Sequence, residues 1–291
     1  MDPITAEFLR FTSTFDVFEW IGLSFLILII GETIWDVVRG RRKIIGESSA
    51  NFLIAVVNEL LGLTVYGIVF ILGLFVAAEP MPFSLPENTM TWALAVILAD
   101  FTYYWMHRFE HEVRFFWAYH SVHHSSPEYN LTTALRLSWV EGLVEWVFFV
   151  PMLLLGFGPM QTLIAILVVV QYQTWIHTEK IGRLGWLDKI FNTPSTHRVH
   201  HGANPQYIDK NYGGIFIVWD RIFGTYEPEQ EKVEYGLTKA INTINPVKVN
   251  FYEYGGILRD MRHARSLKEG IRYCFGRPGW KPEIKVEPKV N

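Results

Sequence analysis

Apolar runs of membrane length dominate the first 180 residues, separated by short polar stretches. Trp20 to Gly31 is unbroken apolar sequence, and the pattern predicts a membrane helix over Val17–Val38. Glu32 and Asp36 lie four apart on one face of it, which predicts that both turn to the bundle interior rather than to lipid. Phe52–Ala78 predicts a second span, free of charge for 19 residues from Leu60. The prolines of Glu79–Pro86 end it, because proline lacks the amide hydrogen a helix needs. Thr89–Met106 predicts a third span, carrying Asp100. Leu137–Leu155 and Met160–Ile176 then predict a helical hairpin split at Gly156–Pro159. Trp146 to Ile176 is uncharged for 31 residues, more than one span requires, so a hairpin with one re-entrant arm is an equal reading.

The predicted fold is therefore all-α, an integral-membrane bundle of four to five membrane helices with a histidine-rich helical cap on the cytoplasmic side. One domain covers residues 1–291. Its first three helices fall within 17–106, two histidine boxes within 107–136, the hairpin within 137–177, and a cap with a third box within 178–250. Residues 251–291 complete it as a basic amphipathic helix and a tail. Trp186–Phe191 reads as a surface helix, and the tail from Lys281 alternates lysine, glutamate and proline and reads as disordered. The amphipathic helix suits a solvated surface and a membrane surface equally.

Composition agrees with a membrane protein: half the residues are hydrophobic and 15% are aromatic. A net charge of −3 and no recognisable motif give no reason to expect a nucleic-acid partner. Cys274 is the single cysteine, so neither an internal disulfide nor a thiolate metal cluster is expected. Met1–Asp16 lacks the basic start of a cleaved signal. The basic run Arg39–Lys43 beside the first span predicts the cytoplasmic side. Counting spans from there puts the N-terminus outside and every histidine box inside.

Nine of the ten histidines fall in four short stretches: His107 and His111; His120, His123 and His124; His177; and His197, His200 and His201. At this histidine frequency a chance His-x-x-His-His is expected roughly 0.01 times per chain. Two copies are therefore not a composition accident. Spacings of three and four place each set on one helix face. Nine imidazoles exceed the four ligands of a structural zinc and predict two ions. The glutamate-rich pattern of soluble di-iron bundles is absent. Carboxylates are then expected to take the ligands' outer N–H groups, with Asp100 and Glu112 the leading candidates and Glu179, Glu141 and Glu145 behind them. His263, alone between arginines, reads as an ordinary surface residue. A metal site at a membrane face favours a lipid substrate, and two redox ions favour O2 chemistry on an unactivated C–H bond.

These boxes, set behind hydrophobic spans, resemble the fatty acid hydroxylase/sterol desaturase superfamily of membrane non-haem di-iron oxygenases. Longer strings are similar to its alkylglycerol monooxygenase branch: Ala118–Arg136, Trp175–Glu179, Asn192–Gly202, Ile208–Gly214 and Trp219–Thr225. The resemblance covers roughly residues 95–281. It implies the nine histidines as ligands to two iron ions and Glu112 as a functional acid. It also implies O2-dependent oxidation of a membrane lipid, with a tetrahydropterin or another separate electron donor. The chain is shorter than the animal members of that branch. Related branches imply sterol, fatty acyl or ornithine-lipid hydroxylation as alternatives. A zinc-dependent membrane hydrolase is the competing class, since zinc binds imidazole sites more tightly than Fe(II).

Overall fold

A computed structural model describes residues 3–282, with side chains from Asp16 onward, and is all-helical apart from two isolated bridges, Phe191 with Phe216 and Gly202 with Tyr235. α1 runs Pro3–Val38, well before the expected start at Val17, because no glycine or proline interrupts residues 4–21. α2 (Ile44–Leu61), a π-helical turn (Gly62–Tyr66) and α3 (Gly67–Ala78) make one 35-residue rod. It begins before Phe52 because the polar residues there have partners. Asn51 donates to Thr132 Oγ1 and accepts from Arg136. α4 spans Thr89–Glu112 behind a reciprocal cap between Asn88 and Thr91. α5 (Arg114–His124) follows after Val113, whose extended backbone bends the chain.

The hairpin departs from expectation in its first arm. Only Trp146–Leu154 is α-helix there (α6), preceded by turns and a single 3-10 turn at Glu141–Leu143. Nine residues rise about 14 Å, half a hydrocarbon core, so α6 does not cross. Buried Ser138 and the inward-turned Glu141 and Glu145 break the helical start. α7 (Pro159–Tyr172) continues through a 3-10 turn to Ile176. Among the described residues three helices are long and apolar enough to cross a membrane: Asp16–Val38, Ile44–Ala78 and Pro159–Ile176. α4 has membrane length but is more polar, carrying Asp100, and α6 is short.

The expected surface helix at 186–191 is one 3-10 turn, Leu187–Lys189. α8 (Pro194–His200) and α9 (Val218–Phe223) are short, α9 ending at Gly224 with φ 75°. The amphipathic helix expected over 251–273 is two: α10 (Pro246–Arg262) and α11 (Leu267–Phe275). Ser266 divides them by capping α11, its side chain accepting from Glu269 N–H. The tail beyond Pro282 lies outside the described residues.

The main core packs α3, α4, α6 and α7 around Ala95, Ala99, Phe149 and Val169. Glu32 and Asp36 are buried as predicted. Glu32 accepts from Leu131 N–H at 2.6 Å and from the Thr178 hydroxyl, and Asp36 pairs with Lys180. The first helix thereby fixes the loops that follow the second box and His177.

Candidate metal centre

The four histidine stretches meet as two adjoining sets of nitrogen atoms. His107, His111, His120, His124 and His200 form one, and His123, His177, His197 and His201 the other. Within each set the ligand atoms lie within 4.8 Å of one another, and all nine residues are buried. α4 supplies the first pair four residues apart, α5 the second box, the turn after α7 His177, and α8 the third box.

Outer hydrogen bonds fix which nitrogen faces inward. His107 Nδ1–H donates to the Tyr212 carbonyl at 2.8 Å, His177 Nδ1–H to Gln173 at 2.8 Å, and His200 Nδ1–H to Lys210 at 3.0 Å. A carbonyl only accepts, so each Nδ1 carries the proton and each Nε2 presents a lone pair. The Nε2 atoms crowd together: Nε2 to Nε2 is 3.0 Å for His107–His120, 3.1 Å for His120–His124, 3.0 Å for His123–His177 and 2.9 Å for His177–His197. Two lone pairs at that distance repel unless something positive lies between them. With metal–nitrogen bonds of about 2.0–2.1 Å, ligands at right angles lie about 2.9 Å apart and tetrahedral ones about 3.4 Å apart. These edges, with His197–His201 at 3.2 Å, fall in the range that imidazoles sharing one ion in each set would show. His111 Nε2 and His200 Nε2 are buried without a protein partner, as ligands to an ion would be.

Burial, and then the neighbouring imidazoles, push the ring pKa values down, to about 3 for His107 and, by burial, to about 4 for His177. His120, His123, His124, His197, His200 and His201 are shifted the same way. Neutral imidazole is the form that binds metal.

The carboxylates are arranged differently from expectation. Glu110, passed over in the sequence, lies against a cluster histidine: its Oε2 is 3.2 Å from His120 Nδ1, and Tyr119 O–H donates to its Oε1 at 3.0 Å, while Asp209 Oδ1 lies 3.7 Å from His111 Nδ1. Three residues from His107, Glu110 shares that ligand's helix face, and this spacing was a readable signal. Burial, then the nearby Glu145 and Glu141 carboxyls, raise its pKa well above the carboxylate range. Positive charge in the five-histidine set would act the other way.

Asp100 touches no histidine. It accepts Ile215 N–H at 2.5 Å, Phe216 N–H at 3.1 Å and Trp219 Nε1–H at 2.8 Å. Asp220 likewise takes Tyr212 and Gly213 N–H. Together they hold the loop whose carbonyls orient His107 and His200. Asp209 and Asn211 of that loop adopt φ near 60°, a backbone that small polar side chains tolerate. Glu112 accepts from Arg108 Nε at 3.0 Å and bonds no histidine, but it lines a cavity of about 600 Å³ that reaches His111, His124, His200 and His201. Glu179 pairs with Arg41, and Glu141 caps Ser138 N–H. His263 is exposed and donates to Arg259 O.

Buried arginines brace the boxes from behind. Arg136 donates to the Val122 carbonyl and Ser125 hydroxyl at the end of α5 while gripping Glu47 and Asn51 of α2. Arg198 clamps Glu229 and donates to the carbonyls of Thr178 and Ile181 beyond His177.

A fatty acid hydroxylase family model matches residues 92–225, which include all nine of these histidines. The chain is 47% identical to the alkylglycerol monooxygenase of Homo sapiens over 201 residues, 69% of this chain and 45% of that protein. It is 46% identical to that of Xenopus tropicalis over 196 residues, 67% and 44% of the two chains. Similarity to the ornithine lipid hydroxylase OlsE of Rhizobium tropici is 30% over 152 residues, 51% and 46%. The chain thus spans less than half the length of these relatives. No solved structure matches it.

Proposed function

Residues 92–225 belong to the fatty acid hydroxylase family, and on that premise we propose that the chain is an integral-membrane, two-iron monooxygenase that cleaves alkylglycerol ethers. The observation that carries the reading is the meeting of nine inward-facing imidazoles as two adjoining donor sets beside apolar helices. His107, His111, His120, His124 and His200 would hold one ion, and His123, His177, His197 and His201 the other. When bound, two redox ions supply O2 activation and the power to oxidise a C–H bond.

The chain's own part is positional. The Tyr212, Gln173 and Lys210 carbonyls lock three ligands in the metal-binding tautomer. Glu110 orients His120, and its charge would offset that of the ions. Burial keeps the imidazoles neutral and bulk water away. The cavity beside His111 and Glu112 gives a water-borne reductant, a tetrahydropterin or another donor, a way to the centre. Glu112 stands where it would position a substrate or reductant group.

The target is the chain carbon bonded to the ether oxygen. Its C–H bond is weakened because the oxygen lone pair stabilises developing radical or cationic character. One oxygen atom enters that C–H bond, and the other leaves as water with two electrons and two protons from the reductant. The resulting hemiacetal breaks its C–O bond to give a fatty aldehyde and glycerol. The basic run Arg39–Lys43 would place the boxes on the cytoplasmic face, since Arg41 pairs with Glu128 and Glu179 beside the second box and His177.

Iron-loaded protein in lipid, given an alkylglycerol and reductant, should consume O2 and release long-chain aldehyde. Oxidation of a sterol, acyl chain or aminolipid instead would overturn the ether assignment. No O2 uptake with any lipid would overturn the oxygenase and leave the zinc hydrolase.

A further inference from the structure

We propose that the α10–α11 hairpin is an interfacial membrane element, seating two apolar stripes in an anionic lipid surface beside the metal centre. The proposal rests on the membrane reading above and adds a second contact to the spanning helices.

On α10, Val249, Asn250 and Ile257 are buried and the helix packs on α5. Val247, Phe251 and Leu258 fall within an arc of about 40° at 3.6 residues per turn. They are 56%, 46% and 57% exposed. On α11, Leu267, Ile271 and Phe275 repeat every fourth residue and are 82%, 52% and 56% exposed, while Tyr273 is buried. Two helices joined at Ser266 thus each present a stripe of exposed large apolar side chains. Isolated apolar side chains on a surface need no explanation, but two regularly spaced stripes do.

Position identifies lipid as the occupant. Trp139 Nε1–H donates to the Ile54 carbonyl and its backbone N–H to Asn250 Oδ1, tying α10 to the long rod. Ile54 precedes the charge-free run Leu60–Ala78, so α10 lies where that rod would enter the bilayer. From there an aromatic series continues outward: Trp139 to Phe251 (6.2 Å), Phe251 to Tyr254 (6.4 Å), Tyr254 to Phe115 (6.4 Å) and Phe115 to Phe275 (5.7 Å). Such residues favour the headgroup level.

Charge completes the argument. Residues 259–272 hold five cations against two acids, and both acids have partners: Asp260 with Arg114 and Lys281, Glu269 with Arg265. Arg262, Lys268 and Arg272 have no ion pair among the described residues. Lys268 and Arg272 lie along one edge of the α11 stripe, the Arg272 guanidinium 4.5 Å over the Trp280 ring, so that both cations line the side from which lipid phosphates would be reached.

Site-directed spin labels test this in the full-length, metal-loaded protein, with Cys274→Ser removing the native thiol. Labels replace Phe251, Leu267 or Ile271, with Leu72 as the membrane reference and Gln206 as the water reference. Nanodiscs contain phosphatidylcholine alone or with one quarter phosphatidylglycerol. The three hairpin labels should be accessible to O2 and shielded from a water-soluble nickel chelate, more deeply with phosphatidylglycerol. Lys268→Glu with Arg272→Glu should remove that added depth. Nickel access equal to that at Gln206 overturns the proposal, as does shielding from both reagents, which marks a protein contact. Equal depth in both lipids overturns its anionic part. If Leu72 itself is not O2-accessible, the membrane reading fails and takes this inference with it.

Discussion

Glu110→Ala is the sharpest perturbation of the centre. It removes the carboxylate that lies 3.2 Å from His120 Nδ1 and accepts Tyr119 O–H at 3.0 Å. Loss of such an outer partner costs about 10–100-fold in metal affinity, or about 1.4–2.7 kcal/mol. His120 belongs to the five-histidine set, so the loss should fall on one ion. The four-histidine set, with no contact to Glu110, should lose less than the five-histidine set. Removing Glu110 also relieves crowding with Glu145 and Glu141, which offsets part of the cost to the fold. Glu110→Gln separates shape from charge. Its carbonyl still faces His120 while its amide donates to the Tyr119 oxygen, so a loss of no more than about 10-fold is expected. Metal content by mass spectrometry after graded chelation reads both sites. Two ions held with wild-type affinity in Glu110→Ala would refute the reasoning. So would equal loss at both sites.

Glu112→Ala should give the opposite result, keeping both ions and the fold while losing activity. Full activity with full metal would make Glu112 a surface partner of Arg108 and nothing more. The buried imidazoles make the metal-free protein acid-sensitive. With pKa values of about 3 for His107 and about 4 for His177, the unfolded chain takes up protons below about pH 6.5 that the folded chain refuses. Stability is therefore present above about pH 6.5 and falls towards pH 4 by up to about 1.4 kcal/mol per pH unit per imidazole, measured by denaturant unfolding of the chelated protein. A flat profile across that range would contradict the burial of neutral rings. For topology, a cysteine near Pro82 should react with an impermeant reagent from outside and one near Gln206 should not; the reverse pattern would reverse the orientation.

Much of the histidine cluster was legible because its members follow local spacing. Three- and four-residue repeats put His107 with His111, and His197 with His200, on one face whatever the tertiary fold. The inward turn of Glu32 and Asp36 was readable for the same reason. The carboxylates were not, because their roles depend on contacts distant in sequence. Asp100 looked like a ligand's partner from its place below His107. It is instead spent on amides more than a hundred residues away, in a loop whose carbonyls do the orienting. Glu112 drew attention by resemblance, while Glu110, on the helix face of His107, was passed over. The hairpin misled because apolarity signals burial without saying in what. Leu137–Leu155 is apolar enough for a span, yet Ser138, Glu141 and Glu145 turn its first half towards the protein interior.

The central claim is oxygen insertion next to an ether. Iron-loaded protein in lipid nanodiscs, an alkylglycerol, reductant and 18O2, with the aldehyde reduced as it forms, tests it most directly. Cleavage of the hemiacetal's bond to the glycerol oxygen leaves the new oxygen on the alkyl chain, so the long-chain alcohol recovered after reduction should carry 18O and the glycerol should not. Unlabelled alcohol from a reaction that proceeds equally without O2 would contradict the account.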